Sequence, residues 1–263
     1  MNIQVFIILF VAALIFCSVG FYNFIYFMSI GYGLAVAAIG FALGIIYLDD
    51  YTTPGTVIAD VLMILYGLRL ASFLIYREYQ TKSYKKVMEK ASSSVTSISF
   101  PIKIVMWLAM ALLYVLQTSP LFFRLDNMAA DNACIYVGCI ISAIGIILET
   151  TADIQKSLQK NVRPDMVATK GLYKIVRCPN YFGEILFWTG VFIEGFGGYE
   201  GAFQLIFSLI GFVIILYVMV DSAKRLEQKQ IKNYGDKEEY INYADNTPIL
   251  FPFIPLYHLV KNN

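Results

Sequence analysis

AFQLIFSLIGFVIILYVMV, Ala202 to Val220, is a run of nineteen residues without a charge, followed at once by Asp221, Lys224 and Arg225. At 1.5 Å per helical residue such a run covers about 28 Å, close to the thickness of a bilayer's hydrocarbon core. It predicts a membrane-spanning helix. Reading outward finds six more runs of this kind: Ile3 to Gly20, Phe24 to Leu48, Thr56 to Tyr76, Phe100 to Ser119, Ala133 to Thr150, and a short one, Phe182 to Ile193. The short run is expected to be tilted, to begin inside the preceding polar loop, or to continue through Gly195 and Gly197.

Composition agrees. Of 263 residues 58% are hydrophobic and 15% charged, and the mean hydropathy is +0.63; a soluble domain would carry about 25% charged residues. The expected fold is therefore all-α: a polytopic membrane helix bundle of about seven transmembrane helices with an amphipathic C-terminal tail. Residues 1–55 read as an N-terminal two-span region and 56–263 as the main domain.

The loops alternate in charge. Arg77, Lys82, Lys85, Lys86 and Lys90 follow the third run; Lys156, Lys160, Arg163, Lys170, Lys174 and Arg177 follow the fifth; Lys224, Arg225, Lys229, Lys232 and Lys237 follow the seventh. The other loops hold Asp49, Asp50, Asp126, Asp131, Glu194 and Glu200, with Arg124 as their one cation. The positive-inside rule puts the basic loops in the cytoplasm, the N-terminus outside or in a lumen, and the C-terminus in the cytoplasm. The membrane is a bacterial plasma membrane or the endoplasmic reticulum. No secretory leader is expected, because Met1-Asn2-Ile3-Gln4 has no basic region. Ala91 to Ser99 reads as a serine-rich flexible loop.

Several function classes fall away. A net charge of +1 offers no basic surface for nucleic acid. His258 is the single histidine, which removes a Ser-His-Asp triad and a histidine-rich metal site, and its ordinary reading is an interfacial residue. Cys17, Cys134, Cys139 and Cys178 form no Cys-x-x-Cys pair, so neither a zinc site nor a disulfide framework is expected.

The polar residues worth explaining gather in three segments on the basic side. In Tyr66-Gly67-Leu68-Arg69 and on to Arg77, positions 66, 69, 73 and 77 share one helical face; Arg69 can also simply reach outward to the interface. Glu149 and Asp153 lie one turn apart and suit either ribose hydroxyls or arginines of other helices. The third segment is Arg177-Cys178-Pro179-Asn180-Tyr181-Phe182-Gly183-Glu184. Here Arg177 can fork onto phosphate oxygens, Pro179 suits a helix start, Asn180 can cap it or meet a ligand, and Glu184 falls in the first turn near the positive dipole end. Charged and polar groups so placed at a membrane boundary call for a polar partner, and an anionic ligand is expected to neutralise Arg177. Downstream, Asn233-Tyr234-Gly235-Asp236, Glu239-Tyr240, Tyr243 and Thr247-Pro248 form a tail that either lies at the interface or closes over a ligand.

The block Lys170-Gly171-Leu172-Tyr173 through Glu184, with Trp188, resembles the C-terminal signature of the steroid 5α-reductase family, most of all its microbial-type membrane branch. The tail from Lys232 to Pro248 and the stretch Tyr66 to Ala71 are similar to other parts of that branch, and the likeness runs from about Val57 to Pro252. The resemblance implies a reductase that holds NADPH in a cavity open to the cytoplasm. By position it implies cofactor contacts from Asp153, Arg177, Asn180, Tyr181 and Glu184, with Tyr234 and Tyr240 in the covering tail. Arg69 and Arg77 join them by location, and Lys160 is added by charge alone as a phosphate partner. Tyr66 falls where the steroid reductases keep a catalytic tyrosine. The implied reaction is reduction of an alkene conjugated to a carbonyl in a lipophilic, steroid- or isoprenoid-like substrate, with membrane lipid as the surroundings and no metal.

Two departures stand out. Cys178 replaces the histidine usual in that branch, and Gly31-Tyr32-Gly33 stands where steroid reductases carry a Gln-Glu pair. A methyltransferase of the isoprenylcysteine carboxyl type, using S-adenosylmethionine, shares an Arg-His-Pro-x-Tyr-x-Gly block and a glutamate-bearing tail, here Arg177 to Gly183 and Arg225-Leu226-Glu227. A lipid-binding protein without turnover is the third reading.

Overall fold

A computed structural model describes residues 1–48, 52–80 and 98–260. Asp49, Asp50, Lys82, Lys85, Lys86, Lys90 and most of the serine-rich stretch lie outside the described residues. The described helices are α1 (Ile3–Cys17), α2 (Ile30–Ile46), α3 (Pro54–Gln80), α4 (Phe100–Asp126), α5 (Ala133–Val162), α6 (Pro179–Glu194), α7 (Ala202–Tyr234) and α8 (Glu238–Asn246), with no strand among the described residues. The chain is an all-helical polytopic bundle. Five helices are long and apolar enough to cross a membrane, and α2 is a shorter apolar one. Their outward faces are apolar: Ile140, Ile144 and Ile147 form an exposed stripe on α5, and Val213 and Tyr217 do so on α7. A soluble bundle would expose polar groups there.

Each predicted run contains a helix, and the differences have local causes. The run Phe24 to Leu48 is not one helix. Asn23 caps a 3-10 turn, Phe24–Met28, through Ile25 N–H, and α2 begins only at Ile30. A Cβ on Gly31 would stand 2.6 Å from the Tyr26 carbonyl, so glycine permits the reversal. The short run is α6, which begins at Pro179 inside the polar motif and ends at Glu194, where Gly197 adopts φ +84°. Its 16 residues rise about 24 Å, less than a hydrocarbon core. By contrast α5 and α7 outrun their apolar stretches, because amphipathic turns continue them; the Asp221–Arg225 pair at i,i+4 supports one of these. Arg124 is no loop cation. It is fully buried near the end of α4, where it donates to the carbonyls of Glu194, Phe196 and Ala130. One guanidinium thereby satisfies carbonyls that the end of α6 leaves open.

Two compact units result, Met1–Cys139 with Val191–Phe212, and Ile140–Gly190 with Val213–Asn263. In the first, α2 and α3 cross at paired glycines: a Cβ on Gly33 would lie 2.7 Å from the Gly67 carbonyl, and one on Gly67 would lie 2.5 Å from the Gly33 carbonyl. Backbone contact of this kind drives helix association where hydrophobic burial is weak. In the second, α5 and α6 cross in the same manner. A Cβ on Gly145 would reach the Phe187 amide at 2.5 Å, and one on Gly183 the Glu149 amide at 2.7 Å.

Candidate functional site

The second unit holds the polar motif, and the residues before it are fixed by α5. Gln155 Oε1 accepts from Leu172 N–H at 2.8 Å, and Gln159 Oε1 accepts from Thr169 and Lys170 N–H at 2.9 and 2.8 Å. Gly171, at φ +69°, lies against Gln155, and its conformation favours glycine. Two glutamines at i,i+4 thus hold the loop, a spacing visible in the sequence but without a partner until the loop is placed.

From there the chain pairs with its own C-terminal segment. Arg177 N–H donates to Pro248 O at 2.8 Å, Cys178 N–H to Ile249 O at 2.9 Å, and Ile249 N–H to Leu256 O at 2.8 Å. The segment after α8 therefore lies along the motif as a strap. Arg177 is 2% exposed. Its Nη2 donates to Glu227 Oε1 at 2.7 Å and to the Tyr257 carbonyl. Glu227 also accepts from Leu259 and Val260 N–H at 2.8 and 3.0 Å, and stands 3.0 Å from His258 Nδ1. The other ring nitrogen of His258 is 3.0 Å from Asp245.

Expectations change here for five residues. Arg177 was expected to be neutralised by an anionic ligand, and it is paired instead with an internal carboxylate, Glu227. His258 is no idle interfacial residue but bridges two carboxylates, and Glu227, read only in the methyltransferase alternative, is the hub of the strap. Glu184 lies in the second turn of α6, not the first, because the helix begins at Pro179. Asn180 is inside that first turn, and its Oδ1 is buried without a hydrogen-bond partner, so it caps nothing.

The same unit holds other predicted residues. Lys160 Nζ donates to Tyr234 Oη at 2.8 Å and to Pro164 O at 3.2 Å, and the Tyr234 and Tyr240 rings are 6.1 Å apart. Tyr240 packs with Met166, Val167 and Ala244. Burial pushes its phenol up, against the pull of the Arg177 charge. Asp153 is buried on α5, and its charge adds to the burial that raises the phenol of Tyr173. Burial also pushes the Cys178 thiol up to about 12, although Lys156 and Arg177 draw it down, so the thiol is protonated at neutral pH. Tyr181 is half-buried and Glu184 buried.

Tyr66, Arg69 and Arg77 belong to the first unit. Both guanidinium groups stand over the Phe73 ring, at 5.6 and 5.9 Å, which is the predicted shared face. Tyr66 is fully buried, and the Gly33–Gly67 crossing sets its hydroxyl 3.1 Å from that of Tyr32. Tyr32 in turn stacks on Tyr114, ring centres 5.0 Å apart, and Tyr114 donates to the Phe27 carbonyl at 2.6 Å. The Gly31-Tyr32-Gly33 departure thus supplies a hydroxyl partner for Tyr66.

Chemically, the second unit offers unspent donors and an unspent acceptor. Arg177 Nε and Nη1 and Asn180 Oδ1 are buried without hydrogen-bond partners. Buried polar atoms of this kind are costly, roughly 1–3 kcal/mol each. Arg177 donors suit an anionic oxygen and the Asn180 acceptor suits an N–H. Among the described residues no group of three or more His, Cys, Asp or Glu is placed to hold a metal ion.

A family model described as "Protein of unknown function (DUF1295)" matches residues 15–247. No curated protein and no solved structure matches the sequence. With the match covering most of the chain, including both the Tyr66 face and the Arg177 motif, the protein belongs to the DUF1295 family.

Proposed function

We propose that the protein is a membrane-embedded, NADPH-dependent reductase of a carbon–carbon double bond conjugated to a carbonyl in a lipophilic, steroid- or isoprenoid-like substrate. The observation that carries this is the half-used Arg177: one nitrogen is committed to Glu227 and Tyr257, while Nε and Nη1 remain buried and unpaired. Those donors would hold a cofactor phosphate, and Asn180 Oδ1 would accept from an amide N–H of the same molecule. Lys160, Tyr234 and Tyr240 would lie along the nucleotide, and Asp153 would take ribose hydroxyls. When bound, the cofactor would supply a hydride for the β-carbon, and a solvent-derived proton at the α-carbon would complete the reduction. Tyr66 would donate a hydrogen bond to the substrate carbonyl oxygen as negative charge builds there, with Tyr32 orienting its hydroxyl. The apolar interior would exclude water. On this reading the basic loops and the strap face the cytoplasm, where NADPH is found.

One observation favours a second reading. The Arg177–Glu227 pair joins the two blocks that resemble the isoprenylcysteine-type methyltransferases, whose cofactor is S-adenosylmethionine. Melting the detergent-solubilised chain with NADPH, NADH or S-adenosylmethionine separates the two. NADPH is expected to raise the melting temperature, and Arg177→Ala and Asn180→Ala to abolish the rise. A rise with S-adenosylmethionine alone would replace the reductase by the methyltransferase.

A further inference from the structure

Gln117 lies in α4 within the first unit, 3% exposed, and neither its Oε1 nor its Nε2 has a hydrogen-bond partner. Among the described residues it is the only buried carboxamide left unpaired at both ends. Its polar neighbours are already spent. Thr118 Oγ1 donates to the Tyr114 carbonyl at 2.8 Å, and Ser119 Oγ lies 2.8 Å from the Leu116 carbonyl and 2.7 Å from Ser208 Oγ. These hydroxyls serve carbonyls of the turn before Pro120, which has no N–H to offer the helix. Farther along, the Asn127 and Gln204 amides bond to each other at 2.7 Å. Gln117 therefore carries two N–H donors and a carbonyl into the buried interior, an arrangement that is uncommon in native proteins and calls for a partner.

Its position suggests what that is. Residues three apart share a helical face, so Gln117 follows Tyr114 by one turn. Tyr114 carries the stacked ring of Tyr32, whose hydroxyl meets that of Tyr66. A few polar groups in an apolar interior are the usual means of fixing one end of a lipophilic molecule. We propose that Gln117 is a specificity-determining residue, whose Nε2–H donates to an oxygen of the lipophilic ligand held beside Tyr66. This rests on the reading of Tyr66 as facing substrate.

The test uses the full chain in nanodiscs and two steroids that differ in one oxygen, the ketone cholest-4-en-3-one and the hydrocarbon cholest-4-ene. A site built to hydrogen-bond an oxygen rejects the analogue that lacks it, so wild type should bind the ketone at least about tenfold more tightly than the hydrocarbon. Gln117→Leu should cut the ratio several-fold, leaving only the share held by the Tyr66 hydroxyl, while keeping the NADPH melting shift, which also shows that the variant is folded. A wild-type chain with no preference for the ketone overturns the proposal. So does a Gln117→Leu variant that keeps the preference, in particular one that melts higher, since the amide would then be only a buried polar group. A ketone preference that depends on Gln117 without any NADPH shift leaves this inference standing and removes the reductase reading instead.

Discussion

Arg177 Nη2 and Glu227 Oε1 lie 2.7 Å apart with side chains 1% and 0% exposed, and that single pair fastens the motif before α6 to the far end of α7. The Glu227 carboxylate also receives two amides and faces the ring of the strap. Removing one member strands the other as an uncompensated buried charge.

Glu227→Ala is accordingly expected to destabilise the folded chain by about 3–5 kcal/mol, read as a loss of melting temperature in detergent. Combining Arg177→Met with Glu227→Leu should recover most of that loss, because an apolar pair leaves no charge behind. Equal losses in the single and double variants would show that Glu227 acts through the strap amides alone.

Replacing Tyr66 by Phe removes a hydroxyl and nothing else of size. The variant should retain the NADPH melting shift and lose at least about tenfold in turnover, about 1.4 kcal/mol of barrier. Tyr32→Phe, which removes the partner 3.1 Å away, should have a smaller effect on rate. Unchanged turnover in Tyr66→Phe would take this residue out of the mechanism.

Gly183 belongs to the motif by sequence, yet its place is a helix crossing. A methyl group there would meet the Glu149 amide at 2.7 Å and the Gly145 carbonyl at 2.9 Å. Gly183→Ala should cost about 1–3 kcal/mol through overpacking, with Gly145→Ala similar, both seen as lower melting temperatures. A Gly183→Ala variant that melts normally but binds no nucleotide would move Gly183 from packing to ligand contact.

Acid should loosen the attachment of α8. The hydrogen bond from Lys237 holds the Asp165 carboxyl below its ordinary range, and the bidentate Arg163 contact does the same for Glu239. A depressed folded-state pKa stabilises fully above the unfolded value, near 4, and that contribution disappears as pH falls through the folded one. Asp165→Asn and Glu239→Gln should therefore melt slightly below wild type at pH 6–7, and the difference should close as pH falls below the ordinary carboxylate range. Both pairs are exposed, so the difference should shrink with salt.

Much of the candidate site was readable in order but not in assembly. Lys160 could be chosen by charge and Tyr234 and Tyr240 by the family resemblance, and the structure brings them together. The roles of Gln155, Gln159, Glu227 and His258 could not be read, since each depends on a partner 10 to 50 residues away in the chain. Asn180 failed as a cap because proline set the helix start two residues earlier than a cap at Asn180 requires.

The sequence by itself determined that the chain is an all-helical membrane bundle, where its apolar runs lie, and that Pro179 begins a helix, because hydropathy, charge alternation and proline geometry act over a few residues at a time. Only the tertiary structure decided that the strap lies on Arg177, that Gly33 meets Gly67 and Gly145 meets Gly183, and that Gln117 is left unpaired. Those outcomes are set by which backbones can approach closely and which buried polar atoms find partners, and neither property exists before the helices pack.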